Sequence, residues 1–272
     1  MSKPKATVVI AFYNKVRFLE LVLAGFSRQT ETNFEVIIAD DGSTAENVAK
    51  VHALIPQYPF RISHMWQEDN GFRKNVIYNK AIVAAQADII IFVDGDCIPH
   101  AQFVKEHTNS TRLGFCSAGR RVNMSSQLSD SLTTEAVKSG VLEKSNIRFF
   151  LDAWRGRGNH SGQGYYVTKP LLRKLINQRD RGVLGSNFSV HKQDLIEING
   201  FDERYVHPAV GEDTDIEFRL RLKGVQVLYL INVANQYHLY HRILQREEEN
   251  PRLFAQVKKE NKYFAALGIS KK

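Results

Sequence analysis

The sequence has little cysteine, no long apolar run and a deficit of acid. Only Cys97 and Cys116 occur among 272 residues, and their spacing is not that of a metal site. A disulfide framework is therefore excluded, and a reducing compartment, the cytoplasm, is the expectation. No apolar stretch approaches the ~18 residues of a membrane span. The run Ala6 to Phe12 is too short for the hydrophobic region of a signal peptide. Internal repeats and low-complexity linkers are also missing, so one composite domain over 1–272 is expected rather than two. Lys and Arg number 37 against 29 Asp and Glu, a net charge of +8. Such an excess favours a phosphate-rich partner. It is uneven: Arg148 to Arg181 holds eight Lys/Arg and two Asp. Neither paired RNA-binding aromatics nor a zinc-finger spacing accompanies it, so nucleic acid is not the expected partner.

What is present is an alternation of short β-branched runs and amphipathic segments. Ala6–Ala11, Asn33–Ala39, Phe60–Trp66 and Asp88–Val93 read as strands. Lys15–Ser27, Thr44–Ile55 and Lys74–Gln86 read as helices, with Ser43 or Thr44 capping the second. This order predicts βαβ units in a mainly parallel sheet, whose ligands bind beyond the carboxyl ends of the strands. The later half is less regular. A helix is expected over Ser126–Phe150, a Gly-rich loop over Arg155–Gly164, short helices at Pro170–Asn177 and Lys192–Ile198, and strands at Ser186–His191 and Val225–Leu230. Thr214–Lys223 reads as a helix, as does the charged tail after Arg242.

The polar clusters fall at the predicted strand ends. Tyr13-Asn14 follows the first strand, Asp40-Asp41 the second, and Asp94-Gly95-Asp96 the fourth. An Asp-x-Asp at such an edge can bind a hard cation while leaving positions open for phosphate, or serve acid/base chemistry, or be a solvated turn. A second cluster, Glu212-Asp213-Thr214-Asp215, precedes a helix. Capping needs one acid there, and the surplus suits a carboxylate that takes a proton from a hydroxyl. His238 and His241, three apart, would share a face if their segment is helical, and imidazole beside carboxylates suits Mn²⁺. Magnesium would prefer an all-oxygen shell.

These residues resemble the inverting family 2 glycosyltransferases of the GT-A fold. VVIAFYNK, EVIIADDGS and IIFVDGDC are similar to that family's nucleotide-binding half, over 1–123. GFDERYVHPAVGEDTDIEFRLRLKG is similar to the galactosyltransferase-like half of chondroitin-polymerase-type domains and β-1,4-galactosyltransferases, here 124–245, with a helical tail over 246–272. The resemblance implies an α/β GT-A architecture: a mainly parallel central sheet flanked by helices, with a small acceptor-side subregion. It implies Ala11 and Tyr13 beside a uracil, with Asp41, and less directly Asp40, hydrogen-bonding it. Asn70-Gly71-Phe72-Arg73 resembles the segment that closes over the nucleotide, with Arg73 as a donor to base or phosphate and Asn79 lining the same pocket. Asp94 would meet ribose or metal, and Asp96 the metal directly. Glu212-Asp213 resembles the acceptor-binding pair, with Asp213 as base. His241 stands at the family's metal-binding histidine, and His238 where a further ligand, usually methionine, occurs. Gly185-Ser186-Asn187 resembles a sugar-contacting turn.

The implied reaction is a single inverting displacement from a UDP-sugar, with Mn²⁺ or Mg²⁺, onto a glycan or lipid-linked glycan hydroxyl. Peripheral contact with the inner face of a membrane is an expectation from net charge and from the resemblance. The Arg155–Gly164 loop would close over the substrates, and Trp154 would stack on a sugar or lie in the core. Two other classes compete. A nucleotidyltransferase would want a glycine-rich phosphate loop after the first strand, and AFYNK has no glycine. A non-catalytic carbohydrate-binding relative would be expected to have lost acids that are all present.

Overall fold

The computed structural model describes residues 3–208, 212–242 and 247–270. Seven strands form the main sheet: β1 (Ala6–Phe12), β2 (Phe34–Asp40), β3 (Arg61–Trp66), β4 (Ile89–Asp94), β6 (Phe115–Ala118), β8 (Asn187–His191) and β9 (Gln226–Tyr229). Their order is β3-β2-β1-β4-β8-β6-β9. The first four are parallel, β8 runs antiparallel to β4 and β6, and β9 is parallel to β6. A smaller sheet is ordered β5-β10-β7, from β5 (Cys97–Pro99), β10 (Asn235–His238) and β7 (Arg120–Asn123).

The apolar runs are strands because both faces of the sheet are covered. Alternate residues of β1 go to opposite layers: Val8 and Ile10 to one, Val9 to the other. The first layer packs against α1 (Val16–Phe26), α2 (Ala45–Leu54), α4 (Phe103–Ser110) and the small sheet. The second packs against α3 (Lys74–Ala84), α9 (Lys192–Glu197) and α10 (Glu212–Leu222). Thr44, one of the two expected caps, accepts a hydrogen bond from the Asn47 N–H.

Three expectations are corrected. Ser126–Phe150 is not one helix but α5 (Ser126–Ser131), α6 (Thr134–Lys138) and the start of α7 (Asn146–Trp154). Ser125 and Thr133 each cap a new start by accepting a backbone N–H, and Gly140 ends a turn at φ +77°. The His238–His241 stretch is not helical, because Asn235–His238 is the central strand of the small sheet. After α8 (Pro170–Ile176), α9 and α10, the charged tail is helical, among its described residues, only over α11 (Glu249–Glu260). The Gly-rich loop is tied down at Asn159, whose backbone exchanges hydrogen bonds with Asn123 at 3.1 and 3.2 Å.

Candidate active site

Parallel strands β1, β2 and β4 end in register, Ala11 beside Ala39 and Asp94, so their polar successors share one edge. Gly95 donates its N–H to the Ala11 carbonyl at 2.8 Å. A Cβ at Gly95 would stand 2.7 Å from that oxygen, so only glycine lets the chain turn here between the two aspartates.

Asp96 is delivered by this turn to the small sheet, where β5 and β10 pair His238 with Cys97. The Leu239 N–H donates to the Asp96 carbonyl at 2.8 Å. The Asp96 carboxylate meets His241 Nε2 at 3.1 Å and His238 Nε2 at 3.6 Å, and the two imidazoles lie 3.2 Å apart. Burial raises the Asp96 carboxyl. The His241 hydrogen bond and the charges of His238, His241 and Arg121 outweigh it and hold the group well below the usual carboxylate range. Burial pushes His238 down to about 4, while the Asp96 hydrogen bond lifts His241. Asp96, Cys97 and His238 bring one ligand atom each within 4.8 Å of one another. A carboxylate, two imidazoles and a nearby sulfur form a donor set that fits a first-row divalent ion.

Asp94 has different partners. Its carboxylate accepts from Lys74 Nζ at 3.0 Å and lies 3.8 Å from Arg121. Arg121 also donates to Ser186 Oγ at 3.1 Å and reaches Cys97 Sγ at 3.5 Å. Next to Ser186, the Gly185 N–H donates to Asp213 Oδ2 at 3.2 Å. Contacts thus run from the Asp94–Asp96 turn through Arg121 and the 185–186 turn to Asp213 at the start of α10. The Glu212 side chain lies outside the described residues.

On the β2 side, Asp41 accepts from the Arg73 N–H at 2.8 Å and the Gln67 amide at 2.7 Å. Burial nonetheless pushes its carboxyl above the ordinary range. Half-exposed Tyr13 donates to Asp69 at 2.9 Å, which raises its phenol. The Arg73 guanidinium bonds the carbonyl of Phe72. Asp40 is turned inward onto His64 at 2.9 Å.

Two expected nucleotide contacts are engaged with the protein itself. The buried Asn79 amide holds both backbone groups of Phe201 and also Glu203. Buried Asn187 bonds His107 and the carbonyls of Arg120 and Ala234. Their polarity gave no warning, because partners more than 40 residues away in sequence satisfy it. Trp154 is not core: it is 78% exposed. Lys74, Arg121 and Cys97 were missed. Arg121 carried no local signal, whereas Lys74 directly follows the quoted Gly71-Phe72-Arg73.

Residues 7–122 match the family model described as Glycosyl transferase family 2. The chain is 23% identical over 240 residues to chondroitin synthase of Escherichia coli, covering 80% of this chain and 32% of that protein. It spans about a third or less of the length of the curated relatives it first matches. Its fold is similar to that of S. aureus TarS 1-349 in complex with UDP (TM-score 0.58, 15% identity, 97% of this chain and 67% of that one). It is also similar to GalNAc-T7 with UDP, GalNAc and Mn²⁺ (TM-score 0.60, 12% identity, 93% and 47%). These neighbours share the GT-A architecture of a mostly parallel sheet flanked by helices.

Proposed function

We propose that the protein, whose residues 7–122 match the model described as Glycosyl transferase family 2 and whose fold is GT-A, is a metal-dependent, inverting hexosyl- or N-acetylhexosaminyltransferase. Its donor is a UDP-sugar, and its acceptor is a hydroxyl of a glycan or lipid-linked glycan in the synthesis of a surface polysaccharide or lipopolysaccharide. The whole chain acts as one transferase unit, 1–123 holding the donor and 124–245 the acceptor. The observation that carries this reading is the meeting of Asp96 with His238 and His241 at the strand edge that also presents Asp41 and Asp94.

Asp96, His241 and His238 would hold Mn²⁺, which when bound supplies Lewis-acid neutralisation of charge on the departing diphosphate. Asp41, already fixed by Gln67 and Arg73, accepts a hydrogen bond from the uracil, with Ala11 and Tyr13 beside it. Asp94, held by Lys74 and Arg121, orients the ribose. Lys74 and Arg121 also place two cations at the diphosphate end of the pocket. Asp213 takes the proton of the acceptor hydroxyl as the new oxygen–carbon bond forms and the bond to UDP breaks. One displacement inverts the anomeric centre, so no second carboxylate is needed as a nucleophile.

The test is a UDP-release assay over a panel of UDP-sugars with and without EDTA. Release that depends on an added acceptor, is abolished by EDTA and is restored by Mn²⁺ supports the proposal. Full activity in EDTA would sink the metal assignment, and no release with any UDP-sugar would sink the donor.

A further inference from the structure

The segment 146–181 carries an exposed apolar surface away from the contacts described at the strand edge. An amphipathic helix normally hides its apolar stripe. In α7 Phe149 does this, stacked on Tyr237 with ring centroids 5.5 Å apart. Yet α7 has a second apolar face. Ile147, Phe150, Leu151 and Trp154, spaced i, i+3, i+4 and i+7, are 72%, 61%, 39% and 78% exposed. Leu171, Leu172 and Leu175 of α8 are also exposed.

The charge exposed along these two helices and their flanks is mostly positive. Lys144, Arg148, Arg155, Lys169, Lys174 and Arg179 are exposed, and none forms an ion pair among the described residues. The two acids between Arg148 and Arg181 are both occupied. Asp152 bonds Ser125 Oγ, and Asp180 pairs with Arg221 at 2.9 Å. An apolar stripe flanked by free cations is the chemistry of a helix lying in the interface of an anionic bilayer. A second copy of this chain would bring the same positive charge to the contact, which opposes pairing through this face. No helix among the described residues is long and apolar enough to cross a membrane, so the contact is interfacial.

We propose that α7 docks the protein on an anionic lipid surface, with Ile147, Phe150, Leu151 and Trp154 among the headgroups and the neighbouring Lys and Arg on the lipid phosphates. This inference is independent of the sugar-transfer reading.

The test is cosedimentation of the 272-residue chain with phosphatidylcholine vesicles, with and without phosphatidylglycerol. Binding is expected only to the mixed vesicles and should weaken as salt is raised. The partition coefficient should fall about tenfold in Phe150→Ser/Trp154→Ser, and similarly in Arg148→Glu/Arg155→Glu. Tryptophan emission should shift to the blue on adding mixed vesicles in the wild type and not in Trp154→Ser. All four positions are exposed, so the variants keep the fold, which circular dichroism checks. No binding to mixed vesicles, or binding unchanged in both double variants, overturns the proposal. So does a wild-type dimer that Phe150→Ser/Trp154→Ser converts to monomer.

Discussion

The strands β1, β2 and β4 and the segment 146–181 are both rich in apolar side chains, but they spend them differently. In the strands nearly every apolar residue lies inside a layer between helices, and polar groups emerge only where the strands end. In α7 and α8 the same residue types face solvent, beside unpaired cations. The first arrangement holds a site rigidly; the second leaves a surface for something else. Among the described residues, Asp213 is linked to the strand edge through Gly185, Ser186 and Arg121.

The largest expected effect tests that division of labour. Asp213→Asn keeps the shape at α10 and removes the base. It should cut transfer by about 10²–10⁴-fold, the range typical of a positioned proton acceptor, while UDP affinity stays near that of the wild type. Steady-state kinetics and UDP titration separate the two quantities. Equal losses in both would make Asp213 part of the donor site, and unchanged turnover would remove it as the base.

A cavity in the strand half comes next. Phe92 of β4 is buried among Tyr78, Phe188 and Phe201, with ring centroids 4.8–5.1 Å away. Phe92→Ala should cost about 3–5 kcal/mol in urea unfolding, from lost transfer energy and the cavity left behind. A cost below about 1 kcal/mol would show that this layer can collapse, contrary to a rigid scaffold.

The strand half was the more legible part because its signals are local. Each short strand-like run with its following helix can be recognised without knowing its neighbours, and Asp41, Asp94 and Asp96 mark the ends. The pairing of β10 between β5 and β7 joins residues more than 100 positions apart. It could not be read from the spacing of His238 and His241, which puts them on one face only if the stretch is helical. Cys97 looked irrelevant for the same reason: only that register sets its sulfur beside His238. Over 126–150 the polar start is weakly patterned, and Thr133, which caps a new helix, and Gly140, which ends a turn, break the expected single helix.

Between the two regions, His107 of α4 joins the helix layer to β8. Its ring pairs with Ser189 Oγ at 2.7 Å and Asn187 Oδ1 at 3.0 Å, and burial pushes it down to about 4. The ordinary value is about 6.5, so the unfolded chain takes up the proton first as pH falls. The contribution is complete above about 6.5 and declines as pH drops toward the folded value. Between pH 7 and pH 5 the loss should be about 2 kcal/mol. Urea unfolding at the two pH values, wild type against His107→Gln, isolates it from other histidines. An identical pH dependence in both proteins would refute the assignment.

The smallest effect makes the comparison within one helix. Phe149 and Phe150 are adjacent and identical in type, yet one is buried against Tyr237 and the other stands in water. Phe149→Ala should cost about 3–5 kcal/mol. Phe150→Ala should stay within about 0.5 kcal/mol, since a side chain already in solvent has little burial to lose. The two unfolding curves, taken without lipid, measure α7's inner and outer faces separately. If Phe150→Ala were as costly as its neighbour, the outer face would already be packed in the free protein, and an anionic surface would have no apolar stripe left to receive. If it is silent, whatever selects for an aromatic there acts outside the folding equilibrium of this chain.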